Sequence, residues 1–436
     1  MDMDNQAVLK RSSDRLGVFG IRNFFYLWVG QSASTFGERF TEIAIPILVY
    51  QYTGSAFQLG LAYMIQVAAS VIFGLFAGAL CDRWDRRITM IVSDLLRFGL
   101  VLCIPLLSLL PLSTALYLTL IYALIFLSTA VRQFFLPAKV SLIPEIVPEK
   151  QLMAANSVDQ SSMKALEFVG YGAAGFFIEV FGPVIAFIVN AATYLFSALM
   201  IVPIQITSRL GEERLAEQKS SVLDDVRRGV QVILDKVALR GTLILSFLAP
   251  MAIGATAPLM IVYADRALGV GPSGYAMIEA TIALGLALGV VVVGRVARDL
   301  PRTSLLYLGL TSMGIFCLIA YGLPAALQES MSLLKPSVRL AVVLPFFFLS
   351  AVANGAIFLG LRVIVQEQAP QGMVGRVFSV INVASSVAAA VGAAFAGMAE
   401  LLNVSLVLVF WSVFLIATGL LASRWSAFRR SEEGLV

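Results

Sequence analysis

The residues with the strongest claim to chemistry are Glu38 and Glu42, two carboxylates in the otherwise apolar stretch 23–50. At ~1.5 Å of rise per residue, Glu38 stands roughly 22 Å along a helix that starts near residue 23, past the middle of a ~30 Å hydrocarbon layer. A spacing of four sets both carboxylates on one helical face, while Arg39 leaves the backbone about 100° away from Glu38. Ionisable groups at that depth are costly unless they face a cavity or a partner. Two roles fit Glu38: it faces a central cavity and binds a proton or a cationic group of a substrate, or it is neutralised by an arginine of a neighbouring helix. Glu167, three residues after Lys164, and Arg132 add a carboxylate and a guanidinium to two further apolar stretches. Glu167 either faces the same cavity or is neutralised by Lys164. Asp94 and Arg97, three apart, suit an intrahelical pair that supports the charged turn preceding them.

Several kinds of chemistry are excluded by what the sequence omits. There is no histidine, so imidazole triads, imidazole metal sites and imidazole proton relays are ruled out. Cys81, Cys103 and Cys317 form neither a disulfide framework nor a metal cluster. No Gly-x-x-x-x-Gly-Lys-Ser/Thr phosphate loop is present, so nucleotide is not hydrolysed by that route. The expectation is a protein that is not an enzyme, needs no cofactor or metal, and draws energy from an ion gradient or from the solute itself.

The elements that must position these residues follow from composition. The 436 residues are 59% hydrophobic and 13% charged, where a soluble chain would be about a quarter charged. Mean hydropathy is +0.88. The net charge of +4 is scattered among short loops, which argues for membrane topology and against a nucleic-acid partner. The chain reads as an all-α membrane protein with twelve transmembrane helices, near 23–50, 57–80, 88–110, 114–136, 159–180, 184–205, 239–265, 273–297, 303–326, 338–366, 376–400 and 404–423. Short loops on one side carry most of the basic residues, including the Arg83–Arg87 turn, Lys139 and Lys150, Arg298 and Arg302; the other side carries only Arg266, Lys335 and Arg339. Basic loops stay inside, so both termini are placed in the cytoplasm of a bacterial inner membrane, and no cleaved signal peptide is read.

The long polar connection divides the chain into an N-terminal six-helix bundle, 1–205, a cytoplasmic linker, 206–238, and a C-terminal six-helix bundle, 239–436. Within the linker, Val222, Leu223, Val226, Val230, Ile233 and Val237 recur near helical spacing, as in an amphipathic helix lying on a surface. Shifting the sequence by 222 positions lays Pro148 on Pro370, Ser157 on Ser379, Val158 on Val380, Gly170 on Gly392 and Gly175 on Gly397. That offset maps one set of six spans onto the other, the arrangement of parallel six-helix repeats.

The turn Gly78-Ala-Leu-Cys-Asp82-Arg83-Trp-Asp85-Arg86-Arg87 resembles the signature loop of the major facilitator superfamily. Thr53-Gly54-Ser55, the run from Ile88 through Asp94 to Arg97, Leu142-Ile-Pro144 through Asn156, and Gln366 to Val377 are similar to the branch of that family containing macrolide efflux proteins and an enterobactin exporter. The resemblance implies the two-bundle fold and secondary transport by alternating access. The cargo it implies is a lipophilic or amphipathic small molecule moved outward against protons; the alternatives are a lipid or siderophore-like metabolite, or a non-transporting receptor on the same fold. It implies a monomer that meets the bilayer, protons and a small-molecule substrate. It also makes Gly78, Asp82, Arg83, Arg86, Arg87, Asp94, Arg97 and Arg376 parts of an inner latch, with Asp82 facing Arg376 and the start of the eleventh span. The alternative for Asp82 and its arginines is that they only fix topology. Arg132 lies near a functional arginine of drug–proton antiporters, displaced by about one turn, and Tyr171 stands where the related glycine motif has proline.

Overall fold

The computed structural model describes residues 17–81, 84–206, 222–296, 300–370, 373–425 and 428, and among them every regular element is helical. Helices α1 (Arg22–Thr53), α2 (Ala56–Cys81), α3 (Arg86–Leu107), α4 (Thr114–Ile146), α5 (Leu152–Phe181) and α6 (Pro183–Ile201) come first. The amphipathic α7 (Val222–Asp235) follows. Then come α8 (Val237–Thr256), which continues through a 3-10 turn and a π-turn to Leu268, α9 (Gly271–Val296), α10 (Arg302–Ala326), α11 (Pro336–Gln368), α12 (Val374–Ala394) and α13 (Val404–Arg424). Ten of these segments are long and apolar enough to cross a membrane. The two remaining long helices, α1 with 32 residues and α5 with 30, have the length but carry the charges, Glu38, Arg39 and Glu42 in one and Asp159, Lys164 and Glu167 in the other.

Helix ends are set by local chemistry. Asp85 caps α3 by accepting a hydrogen bond from the Ile88 backbone N–H at 2.8 Å, and Ser113 and Asn403 do the same for α4 and α13. Between α5 and α6 the chain reverses at Gly182, whose φ of 80° is open to glycine, and Pro183 occupies the first turn of the next helix.

One boundary differs from its sequence expectation in a way that matters. Helix α4 runs through Pro137 and Pro144 to Ile146, so Lys139, expected in a loop, is helical and buried. The apolar run ends near 136, but Phe135, Ala138, Leu142, Ile143 and Ile146 keep helical spacing beyond it and bury one face.

The chain forms two compact units, Met1–Ala44 with Ile72–Lys219, and Ile45–Val71 with Ser220–Val436. In the first unit α3 packs on α4 and α6, and α5 crosses α1 where a Cβ on Gly170 would stand 3.2 Å from the Phe36 carbonyl oxygen. In the second, α8 packs on α12, α11 on α9 and α10, and α10 on α13. The α8–α12 crossing is set where Gly392 meets the Met251 carbonyl and the Ala255 amide at 2.9 Å from an ideal Cβ. Gly170 and Gly392 are the pair laid on each other by the repeat, and each admits the first long helix of its own set. Of the linker, residues 207–221 lie outside the described residues; α7 packs on α12, with Gly229 against the Arg376 backbone and Ile233 buried.

Candidate functional site

The charges of α1 meet partners from four other helices of the first unit, α3, α4, α5 and α6. Glu38 is gripped by three guanidiniums: Arg97 of α3 on Oε1, Arg132 of α4 on Oε2 at 3.2 Å, and Arg39 on Oε2 at 3.4 Å. Glu42 is bound by Arg39 at 2.5 Å, approached by Arg132 at 3.9 Å, and accepts a hydrogen bond from the Tyr171 hydroxyl of α5 at 2.7 Å. The same hydroxyl accepts from Arg39 at 3.1 Å, and the Arg39 guanidinium lies 5.4 Å over the Tyr171 ring.

The sequence reading turned Arg39 away from Glu38. Its stem lies against Gly170, where a Cβ would come within 2.8 Å of Arg39 Cγ. The missing side chain gives the guanidinium room to reach both carboxylates.

Arg97 is the deepest member. Its side chain is 3% exposed, it donates to Glu38 and to the Tyr194 hydroxyl of α6, and it stacks 4.0 Å over the Tyr194 ring with Phe135 of α4 at 6.0 Å. Its contact with Asp94, the partner read from the i, i+3 spacing, is longer, at 3.9 Å. Asp94 is fully buried, and neither of its carboxyl oxygens has a hydrogen-bond partner. Two carboxylates, Glu38 and Glu42, thus face three guanidiniums, Arg39, Arg97 and Arg132, with Asp94 beside Arg97 at the buried end. Burying charge is tolerable only with such pairing. The network reaches the surface through Arg132, whose side chain is 48% exposed, and through Glu42 at 33%.

Helix α6 supplies the polar floor, which sequence reasoning missed. Asn190 donates to Thr41 at 2.6 Å, and Ser197 accepts from Gln31 at 2.9 Å. Asn190, Tyr194 and Ser197 recur at i, i+4 and i+7 in an otherwise apolar helix, a polar stripe that was legible.

The other singled-out residues lie apart. Glu167 pairs with Lys164 at 2.8 Å. Arg86 forms a largely buried ion pair with Glu145 of α4. Arg87 donates to the Ile201 and Val202 carbonyls, closing the C-terminal end of α6. Arg376 sits in the first turn of α12 with Met373 Sδ at 3.1 Å. Helix α2 runs through Gly78 to Cys81, and Asp82 and Arg83 lie outside the described residues. Lys139, on the buried face of α4, pairs with Asp159 of α5 at 2.8 Å and has Met163 Sδ at 3.5 Å. Among the described residues no cluster of three or more metal-ligating side chains occurs.

The family model of the Major Facilitator Superfamily matches residues 27–393. An MFS-type transporter of Bacillus subtilis (strain 168), YfiS, is 24% identical over 422 residues, covering 94% of each chain. Macrolide efflux protein A of Streptococcus pyogenes is 27% identical over 312 residues, 69% of this chain and 73% of the relative. Among solved structures, a bacterial homologue of the human lysosomal transporter Spinster, in an inward-facing and unoccupied conformation, superimposes with a TM-score of 0.69 at 14% identity over 94% of this chain and 98% of that one.

Proposed function

The chain belongs to the Major Facilitator Superfamily, and from that premise we propose that it is a monomeric secondary transporter exporting a lipophilic or amphipathic small molecule in exchange for protons. In this reading α1 and α5 are spans like the other ten, because their charges are paired. Both termini are cytoplasmic, following the basic loops. Export is supported by the likeness to the streptococcal macrolide efflux protein.

The observation that carries the proposal is the sharing of Glu38 among guanidiniums of α1, α3 and α4. A proton on Glu38, or a cationic group of the substrate beside it, displaces arginines that tie those helices together. Occupancy of one carboxylate is thereby converted into a change of helix contacts, the kind of bistable packing that alternating access needs. Because proton and cation compete for the same network of carboxyl groups and guanidiniums, the two move in opposite directions.

The test is proton movement in reconstituted vesicles, paired with drug accumulation in cells with and without the protein and an uncoupler. The expected outcome is lower accumulation with the protein, abolished by the uncoupler, and loss of coupled proton flux in Glu38→Gln. A flat pH dependence together with normal activity in Glu38→Gln overturns the proton role.

A further inference from the structure

Glu38 is not the best-placed group in the network to hold a proton of its own, because three guanidiniums already satisfy its charge. Asp94 is in the opposite position. It is fully buried on α3, and both carboxyl oxygens lack a hydrogen-bond partner. Arg97 stands 3.9 Å away, too far to donate a hydrogen bond, and the hydrogen bonds it makes run from its other terminal nitrogen to Glu38 and Tyr194. The Ser197 hydroxyl of α6, which accepts from Gln31, lies near Asp94 but outside hydrogen-bond geometry. The remaining charged group felt by Asp94 is Glu38 of α1, of the same sign. A buried carboxylate whose oxygens accept no hydrogen bond is among the most costly arrangements a membrane interior can hold.

We propose that Asp94 is a proton-binding site in exchange with Arg97: it holds a proton while Arg97 is engaged by Glu38, and loses it when Arg97 turns to pair with Asp94. The proposal rests on the antiport reading and names the residue that carries the coupled proton. The step balances. A cationic group arriving at Glu38 frees Arg97; the guanidinium closes on Asp94; the Asp94 O–H bond breaks and its proton leaves to water. Tyr194 is the pivot, since its ring under the guanidinium stays in place while the hydrogen-bonding end of Arg97 changes partner.

Infrared spectroscopy of the purified full-length protein in detergent tests this without any identified substrate. A carboxyl group that carries its proton in an apolar site gives a C=O stretch separate from that of carboxylates. The expected result is one such band at neutral pH that shifts on carboxyl-13C labelling of aspartate but not of glutamate, disappears in Asp94→Asn, and persists in Asp159→Asn. The labelling arm uses the unmutated protein, so misfolding of a variant does not obscure the answer. Absence of the band, or a band that follows the glutamate label, overturns the proposal. The vesicle assay is read separately: a band assigned to Asp94 in a protein that moves no protons defeats the antiport reading, whereas proton movement that survives unchanged in Asp94→Asn defeats Asp94 as its carrier.

Discussion

Arg97 of α3 and Glu38 of α1 form a buried ion pair, and the same guanidinium is stacked 4.0 Å over the ring of Tyr194. The pair joins two helices that are neighbours in space but 59 residues apart in sequence. Removing the guanidinium leaves Tyr194 without its donor and weakens the hold on Glu38. Breaking a buried pair from one side costs about 3–5 kcal/mol. Arg97→Gln is therefore expected to lower the thermal unfolding midpoint of the purified protein severely. Tyr194→Phe, which keeps the stacking ring and loses the hydroxyl's hydrogen bonds with Arg97 and, at 3.5 Å, Glu38, is expected to cost about 1.5–3 kcal/mol. An Arg97→Gln protein as stable as the wild type would show that the pair ties nothing together.

Arg132 offers the contrasting case. Its side chain is about half exposed although it contacts Glu38 at 3.2 Å. Exposed ion pairs contribute ~0–1 kcal/mol, so Arg132→Ala should unfold within a degree or two of the wild type, by the same small energy. Transport should nevertheless fall, because Glu38 loses the one partner that reaches the surface. The check is a paired measurement of melting and of drug accumulation in cells. A transport-competent Arg132→Ala protein sinks this assignment.

The glycines of α5 separate space-making from mere flexibility. Gly170 makes room for Arg39, whereas Gly172 has nothing within 4 Å of an ideal Cβ. Gly170→Ala pushes Arg39 off the two carboxylates and is expected to cost about 1–3 kcal/mol, as overpacking does. Gly172→Ala should be neutral or stabilising by about 0.5–1 kcal/mol, since it only restricts a helix interior. Equal effects from the two substitutions would show that the closeness of α5 to α1 is unimportant.

These contrasts mark what was legible in the sequence. The helices, the charged face of α1 and the repeat are patterns within one stretch or between two stretches, and length, hydropathy and spacing expose them. The assembly of the site is a matter of which helices meet. Asp94 and Arg97 look like each other's partners because i, i+3 spacing is visible in one dimension, yet Arg97 is closer to Glu38. Arg39 leaves its helix away from Glu38, and only the absence of a side chain on Gly170, a helix away, lets it fold back. Lys139 was assigned to a loop because a proline and a lysine end the apolar run, while the buried period through Phe135, Ala138, Leu142 and Ile146 continues past both.

The Lys139–Asp159 pair is the most direct test of that last point. It joins α4 to α5 at 2.8 Å, and both side chains are under a tenth exposed. Replacing either partner alone strands a buried charge, so Lys139→Met and Asp159→Leu are each expected to cost about 3–5 kcal/mol. Replacing both removes the stranded charge and leaves apolar groups beside Met163, which already lies 3.5 Å from the ammonium. The double variant should then recover most of the loss and unfold near the wild type, as apolar substitutes for buried pairs often do. A double-mutant cycle on thermal midpoints in detergent reads the coupling. Additive losses would mean that the two charges act separately and that the ion pair does not hold α4 to α5.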